Sequence, residues 1–101
     1  MNTSSVAGRL ARAGSSVYNL TKFGVTAFTD ALRQEVASNH VRVSAVEPGL
    51  VATELTDHMN DRAKAALKER LGGVEPLQAN DIAEIVTFIV TRPKHVAINE
   101  L

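Results

Sequence analysis

The run Val-Tyr-Asn-Leu-Thr-Lys at residues 17–22 decides how the rest of this sequence is interpreted. Tyr18 and Lys22 are four residues apart, a spacing that places both on one face of a helix with Cβ atoms roughly 6 Å apart. Apolar residues at helical intervals surround the pair and predict a mostly buried helix over about residues 16–38. These residues are Val17, Leu20, Gly24, Ala27, Phe28, Ala31, Leu32 and Val36. The spacing alone is more often produced by an interfacial tyrosine beside a lysine whose ammonium group reaches solvent.

A tyrosine and a lysine held this way have a specific chemical capacity. An unperturbed phenol has a pKa of about 10, so acid–base work near neutral pH needs its phenolate stabilised by about 4 kcal/mol. An ammonium group roughly 5 Å away contributes about 3 kcal/mol at an effective dielectric constant of about 20. A helix N-terminus close by adds about 0.5–1 kcal/mol. A serine hydroxyl beside the phenol could then hold a carbonyl oxygen while the phenol gives or takes its proton.

Two further segments give this pair a context. Ser5 stands thirteen residues before Tyr18, and a Pro-Gly-x-Val-x-Thr loop begins about thirty residues after it, at Pro48. Together with the Tyr-x-x-x-Lys spacing, these segments resemble the short-chain dehydrogenase/reductase family. The resemblance implies that Ser5, Tyr18 and Lys22 are catalytic: Tyr18 as acid–base, Lys22 as its ionising partner, and Ser5 as the group that orients the substrate oxygen.

The same resemblance implies a nicotinamide cofactor. Its contacts would be Tyr18, Lys22, Pro48, Gly49, the backbone of Val51 and the hydroxyl of Thr53. Residues 47–51 and 93–100 look like those of a subgroup that converts small 3-hydroxy-acid-type substrates with NADP. The sequence does not decide between NADP and NAD, because the residue that distinguishes them at the ribose is expected outside residues 1–101. The implied partners are a small alcohol or carbonyl substrate and, through the helix at about residues 16–38, a second copy of the full-length protein.

The predicted fold class is α/β. Residues 2–6 and 41–46 read as strands on either side of the long helix, and a right-handed crossover makes them parallel. Their carboxyl ends then open on one side, which brings Pro48-Gly49 next to Ser5. No glycine-rich turn of the kind that binds a dinucleotide pyrophosphate occurs in the sequence. Residues 1–101 are therefore expected to be the C-terminal catalytic portion of a Rossmann-type doubly wound parallel sheet, truncated at both ends and lacking the first dinucleotide-binding half.

The remaining segments carry weaker signals. Helices are predicted over residues 56–71 and from a capping box at Asp81 to just before Pro93, followed by a last strand near residues 96–98. Arg9 and Glu47 are both expected to face solvent.

Composition narrows the function classes. The chain has 101 residues, zero formal net charge and no cysteine. Zero net charge argues against binding to nucleic acid or to an anionic membrane. The absence of cysteine excludes a disulfide and a thiolate metal site. No apolar run is long enough to span a membrane, so the default location is cytoplasmic. The three histidines are too scattered to predict a metal site.

Two alternatives to an oxidoreductase remain. The chain could be an inactive truncated product that acts only by association, and without its first half the isolated chain is expected to be inactive. It could also be an epimerase-type relative, since that chemistry can use the same Tyr18 and Lys22.

Overall fold

Short parallel strands alternate with three helices along the chain, and the computed structural model describes all residues from Met1 to Leu101. The strands and helices in chain order are β1 (Asn2–Thr3), α1 (Ser16–Val36), β2 (Ala45–Val46), β3 (Val51–Ala52), α2 (Asp61–Leu71), β4 (Leu77–Gln78) and α3 (Ala79–Val90). Single 3₁₀ turns lie at Val6–Gly8, Ala37–Asn39 and Glu54–His58. The architecture is the α/β class that the sequence predicts.

The parallel pairing of the first two strands is confirmed. Asn2 is opposite Ala45 and Thr3 is opposite Val46. On its other side, Ala45 forms a parallel bridge with Glu100, so the last strand is reduced to this contact. Both strands are shorter than the predicted segments. Strand β1 ends early because Ser5 caps a 3₁₀ turn directly after it by accepting a hydrogen bond from the backbone of Ala7.

A second parallel pair, β3 with β4, was not predicted. Val51 is opposite Leu77, and the backbone N–H of Leu77 donates to the carbonyl of Leu50 at 3.0 Å. Two-residue strands leave no periodicity in a sequence, so only the structure reveals the pair. It holds the end of the Pro48–Thr53 loop against the start of α3.

Helix α1 has the predicted extent, but the prediction that its apolar stripe is buried is wrong. Val17 is 75% exposed and Leu20 is 74% exposed. The face that meets the strands is instead polar and is hydrogen-bonded to them or to the adjoining loops, through Asn19, Lys22, Thr26, Thr29 and Arg33. Both stripes repeat at helical spacing, and periodicity does not say which one faces the sheet.

The two later helices begin at other residues than predicted. Helix α2 starts at Asp61 rather than Thr56, because the Asn60 side chain accepts from the backbone of Ala63 and starts a new helix after the 3₁₀ turn. Helix α3 starts at Ala79, and its capping box pairs Gln78 with Asp81. The box exists, but Asp81 is its third helical position and not its cap.

The buried interior is small. Its apolar members are Val43, Ala45, Val46 and Ile89. The Cα radius of gyration is 15.4 Å, whereas a compact chain of this length has about 13 Å. Much apolar helix surface is therefore left uncovered within this chain. None of the helices combines the length and apolar content needed to cross a membrane.

Candidate active site

Tyr18 and Lys22 lie one turn apart in the first half of α1. The Lys22 ammonium nitrogen is 5.8 Å from the centre of the Tyr18 ring. The same nitrogen donates to the backbone carbonyl of Thr3 at 3.2 Å, which ties it to the end of β1. Tyr18 is 41% exposed, so its phenol is open to a ligand. The structure thus brings together a cation and a reachable phenol at the carboxyl end of a parallel strand.

Ser5 follows β1 and is 7% exposed. Its hydroxyl accepts from the backbone N–H of Ala7 at 3.1 Å and donates to the carbonyl of Pro48 at 3.4 Å. The expected proximity of Ser5 and Pro48 is therefore present in the structure. A hydroxyl has two acceptor sites and one donor, so Ser5 would have to release the long bond to Pro48 in order to donate to a substrate oxygen.

The Pro48–Thr53 loop leaves the sheet next to Ser5. A side chain placed on Gly49 would meet no atom within 4 Å, so the backbone here is open to a closely approaching ligand. Val51 is held in β3. The Thr53 hydroxyl accepts from the backbone of Leu55 at 3.4 Å and caps the following 3₁₀ turn. Thr53 therefore has a structural contact that a cofactor would have to share.

Asn19, next to Tyr18, was not singled out from the sequence. Its side chain is buried and donates to the carbonyls of Ala7 and Leu10 at 2.7 and 3.0 Å. Its oxygen accepts from the backbone of Arg12 at 3.2 Å. Asn19 therefore attaches the loop after Ser5 to the helix that carries Tyr18. Asn19 has polar neighbours at Thr21 and Lys22, so no local sequence signal distinguishes it as a buried amide.

The expectation that Glu47 faces solvent is wrong, whereas Arg9 is half-exposed as expected and is paired with it. Arg9 Nε lies 2.6 Å from Glu47 Oε2, and its Nη2 lies 2.7 Å from Glu100 Oε2. The Glu47 side chain is only 10% exposed. Hydrogen bonds to Glu47 and Glu100 raise the pKa of the Arg9 guanidinium above its ordinary, already high value. Glu47 and Glu100 are 38 and 91 positions after Arg9, so their contact with it could not be predicted from the sequence.

Other groupings in the chain do not join this site. A cleft of about 340 Å³ lies between α2 and the segments on either side of it, with Lys64, Leu67 and Lys68 in its wall, and it contains neither Tyr18 nor Ser5. No three His, Asp or Glu side chains converge as metal ligands would. Within this chain, the Tyr18 phenol and the Lys22 ammonium are the pair suited to acid–base chemistry. Ser5 follows the strand whose end Lys22 contacts.

Comparison with known proteins identifies the family of the chain. The sequence model of the short chain dehydrogenase family matches residues 1–64. The chain belongs to this family. It is 39% identical over 98 residues to the NADP-dependent 3-hydroxy acid dehydrogenase of Schizosaccharomyces pombe, covering 97% of this chain and 38% of that protein. It is 36% identical over 101 residues to the serine 3-dehydrogenase of Agrobacterium fabrum, covering 100% and 41%.

A solved structure agrees with both relatives. The closed form of a serine dehydrogenase complexed with NADP⁺ superimposes with a TM-score of 0.85 at 35% identity, covering 99% of this chain and 41% of that one. The fold is therefore that of a part of a Rossmann-type dehydrogenase, as predicted. The chain spans about two fifths of the length of the relatives it matches.

Proposed function

We propose that residues 1–101 supply the catalytic portion of a single short-chain dehydrogenase domain that moves hydride between NADP and a small hydroxy acid. The observation that carries this proposal is the Tyr18 phenol with the Lys22 ammonium 5.8 Å from its ring. The 3-hydroxy acid dehydrogenase and the serine 3-dehydrogenase to which the chain is similar support the substrate class, and the first, which is NADP-dependent, supports NADP over NAD.

Tyr18 is proposed as the acid–base. In the oxidising direction its phenolate accepts the proton of the substrate hydroxyl, and in the reducing direction its phenol returns a proton to the carbonyl oxygen. Lys22 favours the phenolate through its positive charge, and its carbonyl contact with Thr3 keeps that charge in place. Ser5 turns its hydroxyl from Pro48 to the substrate oxygen and orients it.

The chain's residues fit the nicotinamide end of the cofactor. Lys22 offers donors to ribose hydroxyls, and the open backbone at Gly49 admits a flat ring closely. Tyr18, Pro48, Val51 and Thr53 complete the proposed contacts. When bound, the nicotinamide supplies the hydride donor or acceptor.

The test uses an enzyme in which this chain replaces the matching 41% of the A. fabrum serine 3-dehydrogenase, hereafter the joined enzyme. NADP reduction is followed with L-serine and with small 3-hydroxy acids that lack the amino group. Turnover with either class supports the proposal. A folded joined enzyme that binds NADP and oxidises neither would contradict it. The same assay addresses an epimerase-type reaction, since an epimerase would change the substrate's configuration with no net NADPH formed.

The outward face of α1 supports a homo-oligomer. Its exposed apolar residues are Val17, Leu20, Phe23 and Phe28, and Gly24 among them has open space above it. We propose that the complete enzyme pairs with a second copy through this face. Sedimentation of the joined enzyme and of its Phe28→Asp variant tests this, since the parent should be a dimer or larger and the variant smaller. Equal masses would contradict the assigned interface.

A further inference from the structure

We propose that Arg9 is a positioning residue, which holds the Pro48 backbone against Ser5 by keeping the Glu47 carboxylate buried. Its importance for hydride transfer rests on the proposed function. Arg9 itself has no hydrogen bond to Ser5, Tyr18, Lys22 or the Pro48–Thr53 loop, so it would act through Glu47.

The two oxygens of Glu47 are unequally paired. Oε2 lies 2.6 Å from Arg9 Nε, whereas Oε1 is buried and has no hydrogen-bond partner. A buried carboxylate with one orphaned oxygen is tolerated only while the other is paired with a cation. Without Arg9, neither oxygen of a side chain that is 10% exposed would have a partner. The carboxylate would then rotate toward water.

Movement of Glu47 reaches the active site within one peptide bond. Pro48 follows Glu47 directly, and its carbonyl accepts from the Ser5 hydroxyl at 3.4 Å and from the Val6 N–H at 3.2 Å. The Arg9 N–H in turn donates to the carbonyl of Val6 at 3.0 Å. Val6, Arg9, Glu47 and Pro48 therefore form a closed ring. The Ser5 hydroxyl is attached to this ring at the Pro48 carbonyl, at the start of the proposed nicotinamide loop.

Glu100 holds the other side of Arg9. Its Oε2 lies 2.7 Å from Arg9 Nη2, and Glu100 is bridged to β2 at Ala45. The guanidinium is thus held at two of its nitrogens by the carboxylate of Glu47, directly after β2, and by that of Glu100, which is bridged to β2. This two-point geometry suits arginine and not lysine, whose single ammonium cannot reproduce the planar fork.

The Val6 amide proton reports the ring directly, because its hydrogen-bond partner is the Pro48 carbonyl. Amide hydrogen exchange is measured by NMR on the isolated chain and on its Arg9→Gln variant. Exchange at Val6 should accelerate about three- to fivefold, the size expected from a half-exposed ion pair. Arg62→Gln, which removes an exposed arginine whose side chain makes no hydrogen bond or ion pair, is the matched control and should leave Val6 at the parent rate.

The double variant Arg9→Gln, Glu47→Gln separates positioning from general destabilisation. The amide of Gln at position 47 is neutral, so it can stay buried without a cationic partner. Val6 exchange in this variant should therefore return toward the parent rate. An unchanged Val6 rate in Arg9→Gln, or no recovery in the double variant, would overturn the inference.

Catalysis gives a second measurement on the joined enzyme. Arg9→Gln should lower kcat by about tenfold when assayed well below the melting temperature of each protein, and the double variant should recover most of it. A role confined to stability would lower the melting temperature and leave kcat unchanged, which would also overturn the inference. Hydrogen exchange at Val6 is measured without cofactor or turnover. The inference about Arg9 can therefore be contradicted while the assignment of Tyr18 holds, and the assignment of Tyr18 can be contradicted while the inference about Arg9 holds.

Discussion

The Ser4 hydroxyl donates to the backbone carbonyl of Lys22 at 3.1 Å, inside the helix that carries the proposed catalytic pair. The same hydroxyl oxygen lies 2.7 Å from Thr26 Oγ1. The residue directly after β1 therefore holds α1 at Lys22, the residue whose ammonium is proposed to act on Tyr18. Gly8 packs directly against this contact, and a Cβ atom added there would lie 2.8 Å from the Lys22 carbonyl oxygen.

Gly8→Ala should therefore destabilise the protein and displace Lys22. Overpacking against backbone of this kind costs about 1–3 kcal/mol. Chemical denaturation measures the loss. Gly24→Ala is the matched control, because a side chain at Gly24 has open space and alanine favours the helix by roughly 0.5–1 kcal/mol. Equal stabilities of the two variants would show that Gly8 is not tightly packed.

Most residues of the candidate site could be predicted from the sequence because they belong to local motifs. The features that were missed are contacts between residues far apart in the chain. The spacing of Tyr18 and Lys22 is a property of one helix, and the position of Ser5 next to Pro48 follows from two parallel strands. The Arg9–Glu47 pair and the β3–β4 pairing depend on side chains and short strands that meet only after folding.

The orientation of α1 was missed for a different reason. Its polar stripe forms hydrogen bonds with residues in and next to the strands; for instance, the Asn2 side-chain amide donates to the Thr29 hydroxyl at 2.9 Å. The usual assumption that the apolar stripe of an amphipathic helix faces its own sheet fails here. An apolar stripe on the outside is what a helix needs if it packs against another surface.

Lys22→Met keeps the apolar stem and removes the ammonium. In the joined enzyme it should weaken NADPH binding and lower kcat together, because one group is proposed to hold the ribose and to favour the phenolate. Fluorescence titration gives the first quantity and steady-state kinetics the second. Lys64→Met on α2 is the control and should change neither. A loss of binding with kcat preserved would reduce Lys22 to a ribose ligand.

The stability that Arg9 contributes should not depend on pH between pH 7 and about pH 10. Its pKa is raised in the folded chain by Glu47 and Glu100, so this contribution is complete at every pH below the ordinary, already high arginine pKa. It is lost only as the pH rises through the still higher folded value. The difference in melting temperature between parent and Arg9→Gln should thus be equal at both ends of that range. A difference that shrinks by pH 10 would contradict the pairing.

The isolated chain should bind NADPH only weakly. The adenosine and pyrophosphate are usually held by a glycine-rich turn at a helix N-terminus, and the sequence contains no such turn. A dissociation constant in the millimolar range or weaker, about 4 kcal/mol, is expected from the nicotinamide contacts alone. Isothermal titration measures it. A micromolar isotherm would mean that these residues bind the dinucleotide by a different route.

The most direct test of Tyr18 as the acid–base is the kcat of Tyr18→Phe in the joined enzyme. This substitution removes the only phenol of the chain and keeps the ring. Loss of a positioned proton donor typically costs about 10²- to 10⁴-fold, so kcat should fall within that range. Turnover within a factor of a few of the parent would contradict the assignment of Tyr18.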